Sequence, residues 1–156
     1  MVLEPGDAAP EITVQNQDGE TVEPDWTGVS VVYFYPKDDT RGCTIEANEF
    51  QDELDTYHEA GVTVYGVSLD GVDSHAGFAA DQGLEFDLLA DPDGEVAAAF
   101  DVEIDHDNPL EGGVTLRTTF VVVDGSIQAV YEGVDPNGHA GDVLADLVET
   151  GVVTVE

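Results

Sequence analysis

Cationic side chains are almost missing from this chain. Against 35 acidic residues it holds only Lys37, Arg41 and Arg117, for a formal net charge of −32 over 156 residues. A surface of that sign cannot neutralise a phosphate backbone or settle on anionic lipid, which excludes nucleic acids and membranes as expected partners. Cysteine occurs once, as Cys43, so an internal disulfide framework and a C-x-x-C redox pair are both excluded, and a reducing cytoplasm is the expected setting. No apolar run approaches the roughly 18 residues of a membrane span, and the opening Met1-Val-Leu-Glu-Pro-Gly6 lacks the basic and apolar regions of a signal peptide. A phosphate-binding loop and a dinucleotide fingerprint are absent. Gly66-Val-Ser-Leu-Asp70 misses the second glycine of a serine-hydrolase elbow. His58, His75, His106 and His139 show no metal-ligand spacing, and Asp91-Pro-Asp-Gly94 and Asp105-His-Asp107 complete no calcium loop. These histidines and acids are therefore expected to be solvated, with no metal and no cofactor.

What is present argues for a folded domain rather than a disordered acidic tail. Hydrophobic residues make up 42% of the chain and recur with strand and helix periods. One domain over 1–156 is the expectation at this length. The acid is spread over turns and helix faces while Lys is nearly absent, a composition that resembles the proteins of extreme halophiles. At about 1 M salt the Debye length is about 3 Å, so only near neighbours can then tune a titrating group.

The densest chemistry lies between Val29 and Gly61. Val29 to Tyr35 reads as a buried strand that Pro36 ends. Ala47, Phe50, Leu54 and Tyr57 share one face of the helix that follows, Thr40 is its expected N-cap, and Gly61 its stop. Cys43 falls in the first turn, where unpaired N–H groups and the helix dipole favour an anion, so the sequence predicts a readily formed thiolate. Lys37 and Arg41 lie within six residues of it and are expected to act as surface ion pairs with Asp38, Asp39 or Glu46, or as general electrostatics.

The remaining pattern is regular. Residues 11–23 suggest a hairpin around Asp18-Gly19, Val62–Leu69 a strand, Asp73-Ser74 the cap of a helix closed by Gly83, and Phe86–Ala90 a short strand. A short helix at 95–100 and an exposed acidic loop at 101–113 follow. The segments 118–123 and 126–131 form a hairpin around Asp124-Gly125, and a last helix covers about 136–150. This order gives an α/β fold resembling the thioredoxin-like arrangement, with an N-terminal β-hairpin and a mixed central sheet carrying helices on both faces.

Pro36-Lys-Asp-Asp-Thr40-Arg-Gly-Cys43 completes the pattern P-x-x-x-T-x-x-C, which resembles the active-site signature of peroxiredoxins. Tyr33-Phe-Tyr-Pro36, Gly42-Cys-Thr44 with Glu46-Ala47, Gly66 to Asp70, Phe86 to Asp91 and Arg117-Thr-Thr-Phe120 resemble the bacterioferritin comigratory protein subfamily, also called peroxiredoxin Q. The resemblance implies a thiol peroxidase. Cys43 would attack the peroxide, Thr40 hydrogen-bond it, Pro36 shield the sulfur, and Arg117 stabilise thiolate and peroxide, with Gly42, Cys43 and Arg117 contacting substrate. Asn48 stands where many members carry a resolving cysteine, Gln51 where arginine is frequent, and Arg41 where proline is frequent. Without a second cysteine, regeneration needs an external thiol, either a thioredoxin-like protein or a low-molecular-weight thiol. The expected assembly is a monomer or weak dimer. A redox sensor that keeps its disulfide with a client, and an inert scaffold with an ordinary thiol, are the competing readings.

Overall fold

The computed structural model describes residues 3–105 and 114–153. Its elements are β1 (Val14–Gln15), β2 (Thr21–Val22), β3 (Val29–Phe34), α1 (Arg41–Asp52), α2 (Leu54–Glu59), β4 (Val62–Ser68), α3 (Val72–Gln82), β5 (Asp87–Ala90), α4 (Glu95–Ala99), β6 (Ile104–Asp105), β7 (Val114–Thr115), β8 (Thr118–Val123), β9 (Ser126–Glu132) and α5 (His139–Glu149). Seven strands form one sheet in the order β2-β1-β5-β4-β3-β8-β9. The crossovers through α1–α2 and α3 make β3, β4 and β5 parallel, whereas β8 and β9 join antiparallel.

β3 is the hub because alternate side chains feed two cores. Val31, Tyr33 and the following Tyr35 pack with Phe50, Tyr57, Phe78, Val143 and Leu147, which draws α1, α2, α3 and α5 to one face. Val32 and Phe34 pack with Trp26, Val96, Phe100 and Phe120, so α4 covers the other. Each such side chain removed from water contributes roughly 1.5–3 kcal/mol. The thioredoxin-like α/β arrangement with a mixed central sheet is therefore observed.

Several boundaries differ from the sequence expectation. The helix expected to run unbroken to Gly61 is divided at Glu53, where ψ rises to 0°, although its apolar face stays buried across the division. α3 starts at Val72 behind Gly71, not behind an Asp73-Ser74 cap, because the Ser74 hydroxyl is committed to Asp38 instead. α5 starts at His139, three residues later than expected. Ile104–Asp105 pairs with Val114–Thr115, so the ends of the expected acidic loop form a two-stranded ribbon. Its middle, including His106 and Asp107, lies outside the described residues.

Candidate functional site

The thiol sits where β3 hands over to α1. Thr40 has the extended backbone of an N-cap (φ −85°, ψ 155°), and Thr44 N–H bonds its carbonyl to start the helix. Its side chain does not cap, however, and donates instead to Lys37 O at 2.9 Å. Asp39, with φ 62°, turns the chain between Asp38 and Thr40. Cys43 follows in the first turn and is 1% exposed.

Two donors reach the sulfur. The Lys37 backbone N–H lies 3.5 Å from Sγ and Arg117 Nη2 lies 3.3 Å from it. Arg117 immediately precedes β8, and the β3–β8 register pairs Phe34 with Thr118, which brings the guanidinium across to α1 from 74 residues away. Arg117 Nη1 also donates to Glu46 Oε1 at 2.7 Å, one helical turn beyond Cys43. Glu46 Oε2 is buried without a hydrogen-bond partner among the described residues. Burial pushes the Glu46 carboxyl up to about 7 against the pull of Arg117.

The helix terminus alone predicted an easily ionised thiol, and this is corrected by burial. Desolvation is the largest influence on Cys43 and pushes its thiol above the usual value. The Lys37 N–H, the Thr40 hydroxyl and Arg117 act in the opposite sense, while Glu46 adds to the rise. Ionisation of this sulfur is thus controlled by its few donors and by whether Glu46 carries charge.

A second buried cluster holds the Lys37 segment, and the sequence reading missed it. Asp70 Oδ2 accepts the Asp38 N–H at 2.8 Å and the Ser68 hydroxyl at 2.7 Å, and its Oδ1 meets Lys37 Nζ at 3.1 Å. Burial opposes ionisation of Asp70, but the Ser68, Asp38 and Lys37 donors outweigh it and hold the carboxyl below its usual value. Asp38 in turn accepts Tyr35 OH at 2.6 Å and Ser74 Oγ at 2.8 Å, and its Oδ2 lies 2.7 Å from His75 Nδ1. His75 Nε2 faces Leu89 O at 3.0 Å. A carbonyl can only accept, so that nitrogen carries hydrogen.

This overturns the expectation that the histidines are solvated. His75 is fully buried, and His139, with Nε2 2.8 Å from Thr119 Oγ1, is 7% exposed; His58 is exposed as expected. Lys37 pairs with Asp70, not with a neighbour in sequence. Asp91 is buried rather than solvated, accepting the Val96 and Ala97 N–H groups that open α4. Oxygen and nitrogen atoms of Asp38, Asp70 and His75 lie within 4.8 Å of one another. All are already engaged by donors or by each other, and the Lys37 ammonium supplies the positive charge there, so the cluster does not fit a cation.

The structure therefore brings Cys43, Thr40 and Arg117 together around one sulfur. Pro36 is half-buried beside Lys37, and Gly42 lies directly under the Arg117 guanidinium. Arg41 is exposed at the first position of α1. Of the groups missed, Asp70 closes the quoted Gly66–Asp70 phrase, but no periodicity marks it as a partner of Asp38 or Lys37.

Comparison with known proteins bears on this geometry. Residues 5–130 match the model of the AhpC/TSA family. Peroxiredoxin Bcp of Escherichia coli K12 is 36% identical over 151 residues, spanning 94% of this chain and 97% of that one. A structure of peroxiredoxin Q from Xylella fastidiosa superposes with a TM-score of 0.88 at 32% identity, covering 96% of this chain and 98% of that one. The Xanthomonas campestris bacterioferritin comigratory protein, described for its alkyl peroxide reduction activity, gives a TM-score of 0.82 at 32% identity over 94% and 99%. With the signature residues gathered on one buried thiol and these likenesses running almost end to end, the chain belongs to the AhpC/TSA family, as a peroxiredoxin of the bacterioferritin comigratory protein type.

Proposed function

We propose that this thiol-dependent peroxidase reduces hydrogen peroxide and organic hydroperoxides through Cys43, in a one-cysteine cycle completed by an external thiol. The observation that carries the reading is the Arg117 Nη2 contact to Cys43 Sγ at 3.3 Å. Sulfur attacks the terminal peroxide oxygen, an S–O bond forms as the O–O bond breaks, and the departing alkoxide or hydroxide takes a proton to leave as alcohol or water. Arg117 stabilises both the thiolate and the negative charge growing on the leaving oxygen. Thr40 donates to the bound peroxide once its hydroxyl turns from Lys37 O, Gly42 exposes backbone to the substrate, and Pro36 keeps water from the sulfur. The resulting sulfenic acid condenses with an outside thiol, releasing water, and a second thiol displaces Cys43 from the mixed disulfide. Asn48 supports that external route, since the side chain at this position of α1 is an amide that donates to Thr44 O and Gln82 Oε1.

The test is stopped-flow oxidation of the reduced protein by one equivalent of hydrogen peroxide in molar potassium chloride, with mass analysis of the trapped product. Stoichiometric sulfenic acid at Cys43 is expected, followed by turnover when a thiol is added. A thiol that stays reduced would refute the reading, and a stable disulfide with one protein client would replace it with the sensor.

The −32 charge supports a cytoplasm of concentrated salt, where screening shortens the repulsion among carboxylates. The chain is then a single-domain halophilic enzyme, monomeric or weakly dimeric. Transfer to dilute buffer is expected to lower its melting temperature, and an unchanged midpoint would contradict the halophile reading.

A further inference from the structure

Gly42 is an anomaly inside α1. Glycine is the poorest helix former after proline, and Gly42 is not among the residues with positive φ, so its backbone would accept any L side chain. The reason for it is steric. A Cβ built on Gly42 would stand 2.6 Å from Arg117 Nη2 and 3.5 Å from Arg117 Cζ, with Pro136 Cγ also at 3.5 Å. The end of an arginine can swing away at little cost in packing. Here, however, the same guanidinium is held on two sides, by Glu46 at 2.7 Å and by Cys43 at 3.3 Å, so any retreat from a methyl group lengthens those contacts.

We infer that Gly42 is a positioning residue, whose missing side chain sets how closely Arg117 approaches the Cys43 sulfur. Any larger residue is tolerated by the fold and penalised in the chemistry. This rests on the reading of Arg117 as the group that activates Cys43. It yields a signature that an ordinary helix glycine does not share: alanine restores helix propensity, so stability holds or rises while thiol reactivity falls. Gly77 in α3 is the matched control, since a Cβ there meets nothing within 4 Å.

The experiment compares Gly42→Ala, Gly42→Val, Gly77→Ala and Arg117→Ala with the wild type. It measures melting temperature, the thiolate titration by absorbance near 240 nm, and alkylation of Cys43 by iodoacetamide at fixed pH. Gly42→Ala is expected to slow alkylation about tenfold, with a higher titration midpoint, because one preorganised donor is displaced; Gly42→Val is expected to slow it further. Gly42→Ala, like Gly77→Ala, is expected to melt no lower than the wild type. Wild-type reactivity in Gly42→Ala, or a loss of reactivity matched by a lower melting temperature, would overturn the inference. If Arg117→Ala itself reacts like the wild type, the reading of Arg117 fails instead, so the two failures are told apart.

Discussion

Two buried acid–base pairs flank the thiol, and they are built for different work. In the Asp38–His75 pair the side chains are 1% and 0% exposed, and Asp38 accepts from Tyr35 and Ser74 as well as meeting His75. In the Glu46–Arg117 pair the carboxylate is as deeply buried, but the arginine side chain is 16% exposed, shared with sulfur, and opposite a carboxylate oxygen that has no hydrogen-bond partner among the described residues. A saturated buried network resists change, whereas an incomplete one changes charge and contacts readily. The first pair fixes the loop whose Lys37 N–H reaches Sγ; the second adjusts the charge that the sulfur feels.

The comparison predicts opposite failures. The largest effect belongs to the sulfur itself: Cys43→Ser is expected to abolish peroxide consumption completely while the fold, followed by circular dichroism, is retained. Next comes the saturated pair. Asp38→Ala leaves the Tyr35 and Ser74 hydroxyls and the His75 ring without their shared partner and should cost about 1–3 kcal/mol of stability per lost partner in denaturant titration. A variant as stable as the wild type would mean that this network does not hold the loop.

Arg117→Ala should reverse that profile, losing about 2.7–4 kcal/mol of transition-state stabilisation in kcat/KM, or about 100- to 1,000-fold, with a much smaller change in melting temperature. Equal losses in both measurements would erase the distinction between the pairs.

Smaller effects follow from protonation. Glu46, ordinarily near 4.5, titrates near 7 in the fold because burial raises it. Its neutral form stabilises the native state fully below about pH 4.5, and that contribution is lost as pH rises through 7. Glu46→Gln should flatten stability across this interval and, by removing a negative charge, lower the Cys43 titration midpoint. His139 works in the other direction, since burial lowers it from 6.5 to about 4. Stability from the neutral ring is present above pH 6.5 and lost as pH falls toward 4. His139→Asn should therefore remove part of the acid sensitivity, seen as a shallower fall in melting temperature between pH 6 and 4.

The half of the proposed site between Pro36 and Cys43 was legible in the sequence because it is local. Pro36, Thr40, Gly42 and Cys43 lie within eight consecutive residues whose spacing is imposed by one strand end and one helix start, and Arg117 stood out through the scarcity of cations. The alternation of β3, the parallel crossovers and the hairpin around Asp124-Gly125 were legible for the same reason, since period and turn chemistry are properties of short segments. What the tertiary structure decided is everything that depends on burial and on partners distant in sequence. His75 reads as a polar residue near a helix start, and only the packing of α3 against β3 and β5 delivers it to Asp38, 37 residues away. The thiol's ionisation likewise followed the helix terminus on paper. In the fold, desolvation opposes that field, and the balance rests on Arg117, Lys37, Thr40 and Glu46, whose convergence no spacing in the chain encodes.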